Sequence, residues 1–392
     1  METGKSEFGP PAAEEMSVVA DILSQSFATS AQESAAALEK SGPANLRVLR
    51  EAGEVVGTAF PIPMGQWYGG RRVAMAGVGG VGVAPSARGR GTATRLMQQV
   101  LQELRGKGFP LSVLYPSTQA LYRRVGYEQA GSRFELRVQV QGLDFTERTL
   151  SLRPVKASDQ AALQEVYRRH ASSRPGYLDR GPYSWERMSN PRGETAHGFL
   201  VEGASGVEGY VYVVRRRQQG FMQELFLTDF VALTPAAARR LLSFLGDHRS
   251  LATEVAWTGS SADPLLFLLR EQRYQAKLLF HWMLRVLDVP AALEARGYPA
   301  GLSGALHLEV EDELFPENRG RFLLEVEGGQ GRVRRGGEGR VKLDIRTLAP
   351  LYTGFLSPEA LRLAGALMTD DASMPVAAAM FSGAPPSMAD MF

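Results

Sequence analysis

The 392-residue chain contains no cysteine. That absence removes disulfides, thiolate nucleophiles and zinc–thiolate sites in one step. Histidine is scarce: His170, His197, His248, His281 and His307 are the only five, all beyond the first third of the chain. No H-E-x-x-H motif and no Ser–His–Asp order suggests itself, so chemistry in the N-terminal third must proceed without imidazole and no metal is expected. Net charge is small, +2 from 44 Lys and Arg against 42 Asp and Glu. That is too little to call for a nucleic-acid partner. No apolar run reaches the roughly 18 residues that a membrane span takes, and residues 1–15 lack the apolar core of a signal peptide. The expected setting is the cytoplasm, with no membrane partner.

What is present is ordinary in bulk: 22% charged and 44% hydrophobic residues, as in a globular protein of two or three domains. One stretch stands apart. Val81-Gly82-Val83-Ala84-Pro85-Ser86-Ala87-Arg88-Gly89-Arg90-Gly91-Thr92-Ala93 reads as a strand, a glycine- and arginine-rich loop and the start of a helix. The helix is legible from Leu96, Met97, Val100, Leu101 and Leu104, which share one face. A glycine loop at a helix N-terminus suits a pyrophosphate, because unpaired first-turn N–H groups and the helix dipole both favour an anion. Just upstream, Gly77-Val78-Gly79-Gly80-Val81-Gly82 matches the dinucleotide fingerprint G-x-G-x-x-G. Its last glycine continues into strand, however, and the acid at the expected distance, Glu103, sits inside a helix. The glycines are better read as a bulge-prone strand.

Along the chain, 16–27 and 34–40 read as short helices, 46–50, 54–61 and 73–83 as strands, and 67–70 as a turn. A short strand at 109–114, a short helix at 117–125 and a strand at 134–140 complete a first unit. Residues 144–147 look like a linker. A second α/β segment has helices at 159–169 and 236–246 and strands at 199–202, 209–214, 222–230 and 255–257. From about residue 287 strands recur at 306–310, 320–326, 331–334 and 339–345, followed by helices at 357–368, capped by Ser357 with Pro358 after it, and at 375–381. The basic runs Arg215-Arg216-Arg217 and Arg332-Val333-Arg334-Arg335 read as solvated strand edges.

The spacing Arg88-x-x-Gly91-x-Ala93 resembles the acyl-CoA motif of the GNAT acetyltransferases, and Leu121-Tyr122-Arg123-Arg124-Val125-Gly126-Tyr127 resembles their late helix. The second segment resembles another GNAT unit without that loop: Arg239-Arg240-Leu241 offers no glycine, so no CoA is expected there. The third resembles a sterol-carrier-protein fold. Together with Pro290-Ala291-Ala292-Leu293-Glu294-Ala295-Arg296-Gly297-Tyr298, Leu351-Tyr352-Thr353-Gly354 and the ending Asp390-Met391-Phe392, the full length is similar to the Eis (enhanced intracellular survival) family. The resemblance implies an α/β (α+β) protein with a catalytic GNAT unit over 1–146, a degenerate GNAT-like unit over 147–285 and a sterol-carrier-like unit over 286–392.

It further implies acetyl transfer from acetyl-CoA to primary amines, of the aminoglycoside-type polyamine class, by direct attack in a ternary complex, and assembly as a homohexamer. Val81, Gly82 and Val83 would hold the pantetheine arm. Arg88, Gly89, Arg90, Gly91, Thr92, Ala93 and Thr94 would hold the pyrophosphate, with Ser117 and Thr118 lining the channel. Tyr122 would be the general acid and the terminal carboxylate of Phe392 the general base. A carboxylate in water is a poor base for an ammonium, but an apolar site raises its proton affinity. Thr29 and Met391 stand where acidic residues attract cationic acceptors in that family. Phe27, Trp67 and Tyr68 are candidate pocket aromatics, equally suited to packing; Tyr127 reads as core. Two other functions share these residues: acetylation of protein lysines, and carriage of an apolar ligand on the third unit.

Overall fold

A computed structural model describes residues 6–40 and 43–392. A 13-stranded sheet occupies the first two thirds and a five-stranded sheet the last third. In the first half of the large sheet, Ser6–Gly9, Arg47–Glu51, Glu54–Tyr68, Arg71–Val83 and Leu111–Leu114 lie side by side in that order. Its far half runs Ala252–Gly259, Gln223–Ala232, Gly206–Arg217, His197–Gly203 and Ser151–Pro154.

The two halves meet by exchanging a strand. Glu128–Gln139, which follows the first half in sequence, pairs with Ala252–Gly259 of the second. Tyr274–Val286, which follows the second half, returns to pair with Leu111–Leu114 of the first. The two exchanged strands also pair with each other, so the sheet has no break. The returning strand was not expected from sequence. Leu278 and Phe280 are exposed while Trp282 to Val286 are buried, so no single alternation marks it.

Other boundaries shift for local reasons. The Glu54–Tyr68 strand passes through Pro61 and Pro63 and takes in Trp67 and Tyr68, leaving only Gly69 and Gly70 as the turn. Its partner Arg47–Glu51 ends opposite Ala59, and Leu178–Asp179 joins only at Gly65 and Gln66. The prolines thus fall in a gap where a missing N–H disrupts no ladder. Arg215, Arg216 and Arg217 end an interior strand: they pair with Leu225, Glu224 and Gln223 on one side, while on the other the ladder stops at Val213 and His197. Arg216 is held there by Glu194 and by the Phe226 ring, 3.8 Å from its guanidinium carbon. The Gln330–Arg335 strand, with Arg332, Arg334 and Arg335, does form an edge of the smaller sheet.

In the last third, the expected long helix stops early. Pro358–Leu363 is helical, Gly365 turns at φ +71°, and Leu367–Met368 pairs as a short strand. Ile345, read from sequence as the last residue of a strand, instead opens the helix Ile345–Thr353, capped by Asp344. One apolar core runs through residues of every segment, from Val19 and Ile62 to Trp282, Leu308, Tyr352 and Met388. The small sheet is tied on by a buried ion pair, Arg285 to Asp312 at 2.7 Å.

Candidate active site

The site begins where two parallel strands part. Arg71–Val83 pairs with Leu111–Leu114 only from Met75 to Gly77. Beyond Gly77 the first strand keeps its other partner but bulges: Gly82 opposes Thr58, Gly79 opposes Phe60, and Gly80 sits at φ +55°. The backbone of Val81, Gly82 and Val83 therefore borders a cleft instead of a neighbouring strand, and such an unpaired edge can hydrogen-bond an extended amide-bearing chain.

The same strand leads to the loop and helix. Thr92–Gly106 starts from Gly91 at φ +77°, a conformation that a side chain would strain. No side chain caps this end, so its first N–H groups remain available to an anion. Arg88 and Arg90 are exposed, each anchored by one bond to a backbone carbonyl, of Val83 and Ser86. Gly89 is exposed, and Ala93 and Thr94 lie half-buried on the first turn. Thr92 is different: its hydroxyl is buried and donates to the Ala87 carbonyl at 3.0 Å. Only its amide faces this task.

Across the cleft, Ser117 and Thr118 are exposed on the loop before the Gln119–Arg123 helix. Tyr122 on that helix is buried, and burial pushes its phenol up to about 12, with Ser117 drawing it the other way. Near neutrality the phenol therefore keeps its proton. Tyr127 is fully buried with its hydroxyl 2.7 Å from Ser112, as a satisfied core residue is.

The C-terminus reaches this cleft. The Ser132 amide donates to Pro386 and the Ser387 amide to Pro175, so the tail threads between the two halves of the large sheet. Thr258 and Arg133 donate to the Ala389 carbonyl at 2.9 and 3.2 Å, and Tyr115 donates to the Asp390 carbonyl at 2.7 Å. The Phe392 ring lies 5.7 Å from the Tyr115 ring. A Cβ on Gly79 would be 3.7 Å from the terminal carboxyl carbon. Among the described residues no cation forms an ion pair with that carboxylate.

Several residues here carry no local sequence signal. Arg180, Tyr115 and Arg133 meet the tail from distant segments, with Asp229 behind Arg180, and only Asp390, the one charged side chain near the end of the chain, could have attracted notice. Conversely, two expected pocket aromatics are packing residues. Trp67 joins Leu163 and Tyr167 in a buried cluster, and the Tyr68 hydroxyl donates to Gln66 at 2.8 Å. Phe27 is half exposed at a helix end, and Thr29 bonds Ser34. Met391 touches Arg133 through its sulfur at 3.7 Å.

The second half has the corresponding parallel pair, Gln223–Ala232 with Ala252–Gly259, but not the loop. Its following helix, Pro235–Gly246, begins with proline, and the Thr234 side chain accepts from the Ala237 amide at 3.1 Å. Both features remove the free N–H groups that an anion needs. Among the described residues no group of three potential metal ligands occurs and no helix is long and apolar enough to cross a membrane.

Comparison with known proteins finds two acetyltransferase segments and one sterol-carrier segment. Residues 8–130 and 176–286 each match the acetyltransferase (GNAT) domain, and 289–389 match the sterol carrier protein domain. An uncharacterised N-acetyltransferase of Streptomyces coelicolor is 31% identical over 76% of this chain and 75% of its own. The N-acetyltransferase Eis of Mycobacterium tuberculosis is 27% identical over 82% of this chain and 81% of its own. A GCN5-related N-acetyltransferase structure from Anabaena variabilis superposes with a TM-score of 0.95 at 37% identity, covering 99% of this chain and all of the other. Eis1 from Mycobacterium abscessus shares the fold, with a TM-score of 0.82 at 24% identity over 99% of this chain and 100% of its own.

Proposed function

Because the chain belongs to the GCN5-related N-acetyltransferases, in the Eis-type arrangement of two GNAT domains and a sterol-carrier domain, we propose that it transfers acetyl from acetyl-CoA to a primary amine in a ternary complex. The pantetheine arm lies along Val81 to Val83, and the pyrophosphate sits on the Gly89 to Thr94 turn with Arg88 and Arg90 beside it. The ammonium gives one proton to the Phe392 carboxylate, the freed lone pair forms the new C–N bond at the thioester carbon, and the nitrogen sheds its second proton to solvent, which later restores the Tyr122 phenol. As the C–S bond breaks, Tyr122 protonates the departing thiolate.

The observation that carries this reading is the seat of Phe392: an unpaired carboxylate brought to the bend of the strand that borders the cleft. Direct attack needs no nucleophilic side chain, in keeping with a chain that has no cysteine. An aminoglycoside-type polyamine is the first acceptor class to screen, and a lysine peptide the second, since both use the same proton transfers. The apolar-carrier reading is less well supported, because Leu306, Leu308, Phe322, Leu324, Leu348 and Tyr352 fill the interior between the small sheet and its helices. Homohexamer assembly is part of the same proposal; exposed Phe267 and Leu363 offer apolar surface for it, and sedimentation as a micromolar monomer would oppose it.

The test is to delete Phe392, or to extend the chain beyond it, and to follow CoA release with amine acceptors. Deletion withdraws about 3.3–3.6 Å of reach, and extension turns the carboxylate into a neutral amide. Both variants should bind acetyl-CoA and lose turnover, with the loss easing at high pH as more amine arrives unprotonated. Full activity of an extended chain at neutral pH would remove Phe392 from the mechanism.

A further inference from the structure

Asp390 stands two residues before the chain end, and its side chain and backbone are gripped from opposite sides. Its carboxylate meets Arg180, with Nε–Oδ1 and Nη2–Oδ1 both at 2.9 Å. Its carbonyl accepts from Tyr115 of the first half at 2.7 Å. Arg180 also binds Asp229, through Nη1 to Oδ2 and through Nη2 to Oδ1 at 3.2 Å. Asp229 in turn accepts from the Tyr210 hydroxyl at 2.7 Å. The Tyr167 ring lies 3.8 Å from the Arg180 guanidinium carbon, and its hydroxyl, which donates to the Leu178 carbonyl at 2.9 Å, is 3.3 Å from the Asp390 carboxylate. The Arg180 side chain is 1% exposed, Asp229 6% and Asp390 10%.

Groups so buried are costly to desolvate unless each is matched. A purely structural pair within the second unit would need only Arg180 and Asp229. The second carboxylate, drawn from the tail, makes the cluster a receptor for the chain end. Without the tail, Arg180 and Asp229 still balance in charge, but the buried Nε–H, which donates to Asp390, loses its acceptor, so the site is satisfied when the tail is docked.

We propose that Arg180, on a GNAT unit whose own anion loop is closed, is a positioning residue: it clamps Asp390 and thereby sets the Phe392 carboxylate at the cleft. This assigns the degenerate unit a part in the reaction without any ligand of its own. The proposal rests on Phe392 being the base. Only Met391 separates the clamp from Phe392, so release at Asp390 shifts the carboxylate on the scale that proton transfer cannot tolerate.

The experiment compares Asp390→Asn, Arg180→Met and deletion of Phe392 in the full chain. Asp390→Asn is the cleaner variant, since Arg180 keeps one carboxylate partner in Asp229 and the fold keeps its volume. It should lower kcat by about 10- to 100-fold, as a misplacement of order 1 Å does, with acetyl-CoA affinity and thermal midpoint near those of the parent. Hydrogen exchange over the last six residues should quicken in Asp390→Asn and Arg180→Met alike, and the double variant should be no slower in turnover than the worse single. An Asp390→Asn enzyme with parental kcat and an equally protected tail would overturn the clamp even if Arg180→Met failed to fold. If deletion of Phe392 left turnover intact, the base assignment would fall, while exchange in the tail would still report whether Arg180 holds it.

Discussion

Gly77 and Phe392, at opposite ends of the fold's chain order, share one niche. A Cβ built on Gly77 would lie 2.7 Å from Cε2 of the Phe392 ring and 3.0 Å from the Met64 methyl. The ring needs a residue without a side chain beneath it.

Gly77→Ala therefore tests the seat of the terminus from the other side. Phe392 is the last residue, so the ring yields before the strand does, and the carboxylate moves with it. Turnover should fall by up to about 10²-fold with acetyl-CoA affinity largely kept. Gly79→Ala is the comparison: its Cβ would lie 3.7 Å from the terminal carboxyl, an ordinary contact, and the loss should be much smaller. Steady-state kinetics on both variants, with calorimetry of acetyl-CoA, decide it.

The division between what the sequence displays and what it hides follows contact distance along the chain. The glycine loop and the late helix are local, so spacing reveals them: Gly91 is the helix N-cap and Tyr122 lies on its short helix. The strand exchange is not local. Tyr274–Val286 pairs with Leu111–Leu114 far upstream, and no periodicity encodes a partner choice. Arg180 reads as a surface residue until Asp390, 210 positions later, is placed against it. Trp67 and Tyr68 mislead in the reverse sense: aromatics before Gly69-Gly70 look like a turn, while the strand below them is extended by Leu178–Asp179.

Tyr122→Phe should lower kcat by about 10²–10⁴-fold if the phenol donates to the leaving thiolate, with acetyl-CoA binding little changed. The buried phenol, at about 12, stays protonated across the working range. The parent should therefore show no alkaline fall in kcat from this group below about pH 11, and an unchanged kcat in the variant would return Tyr122 to a packing role.

His170 supplies a stability test. It is buried in the second half, and burial, with Arg174 nearby, lowers its imidazole to about 3. The unfolded chain binds a proton near pH 6.5 that the folded chain refuses. The cost is absent above that pH and grows as pH falls toward 3, by at most about 1.4 kcal/mol per pH unit. Urea unfolding at pH 7 and about pH 4.5 should show the parent losing up to about 3 kcal/mol more than His170→Gln over that interval. Equal losses would mean that the imidazole charges in place.

Acetyl-CoA stoichiometry separates the two GNAT units. The Thr92–Gly106 helix starts from Gly91 with no side-chain cap, whereas the Pro235–Gly246 helix has a proline in its first turn and Thr234 bonded to the Ala237 amide. Only the first presents free N–H groups with the dipole behind them. Calorimetry should give one acetyl-CoA per chain. Gly91→Glu should abolish it, since it forces a side chain into φ +77° and sets a carboxylate against the pyrophosphate. Thr234→Ala should not create a second site, because Pro235 still withholds its N–H and no glycine loop lets a phosphate approach. Two bound equivalents in the parent, or one surviving in Gly91→Glu, would locate acetyl-CoA in the second unit and reverse the roles assigned to the two halves.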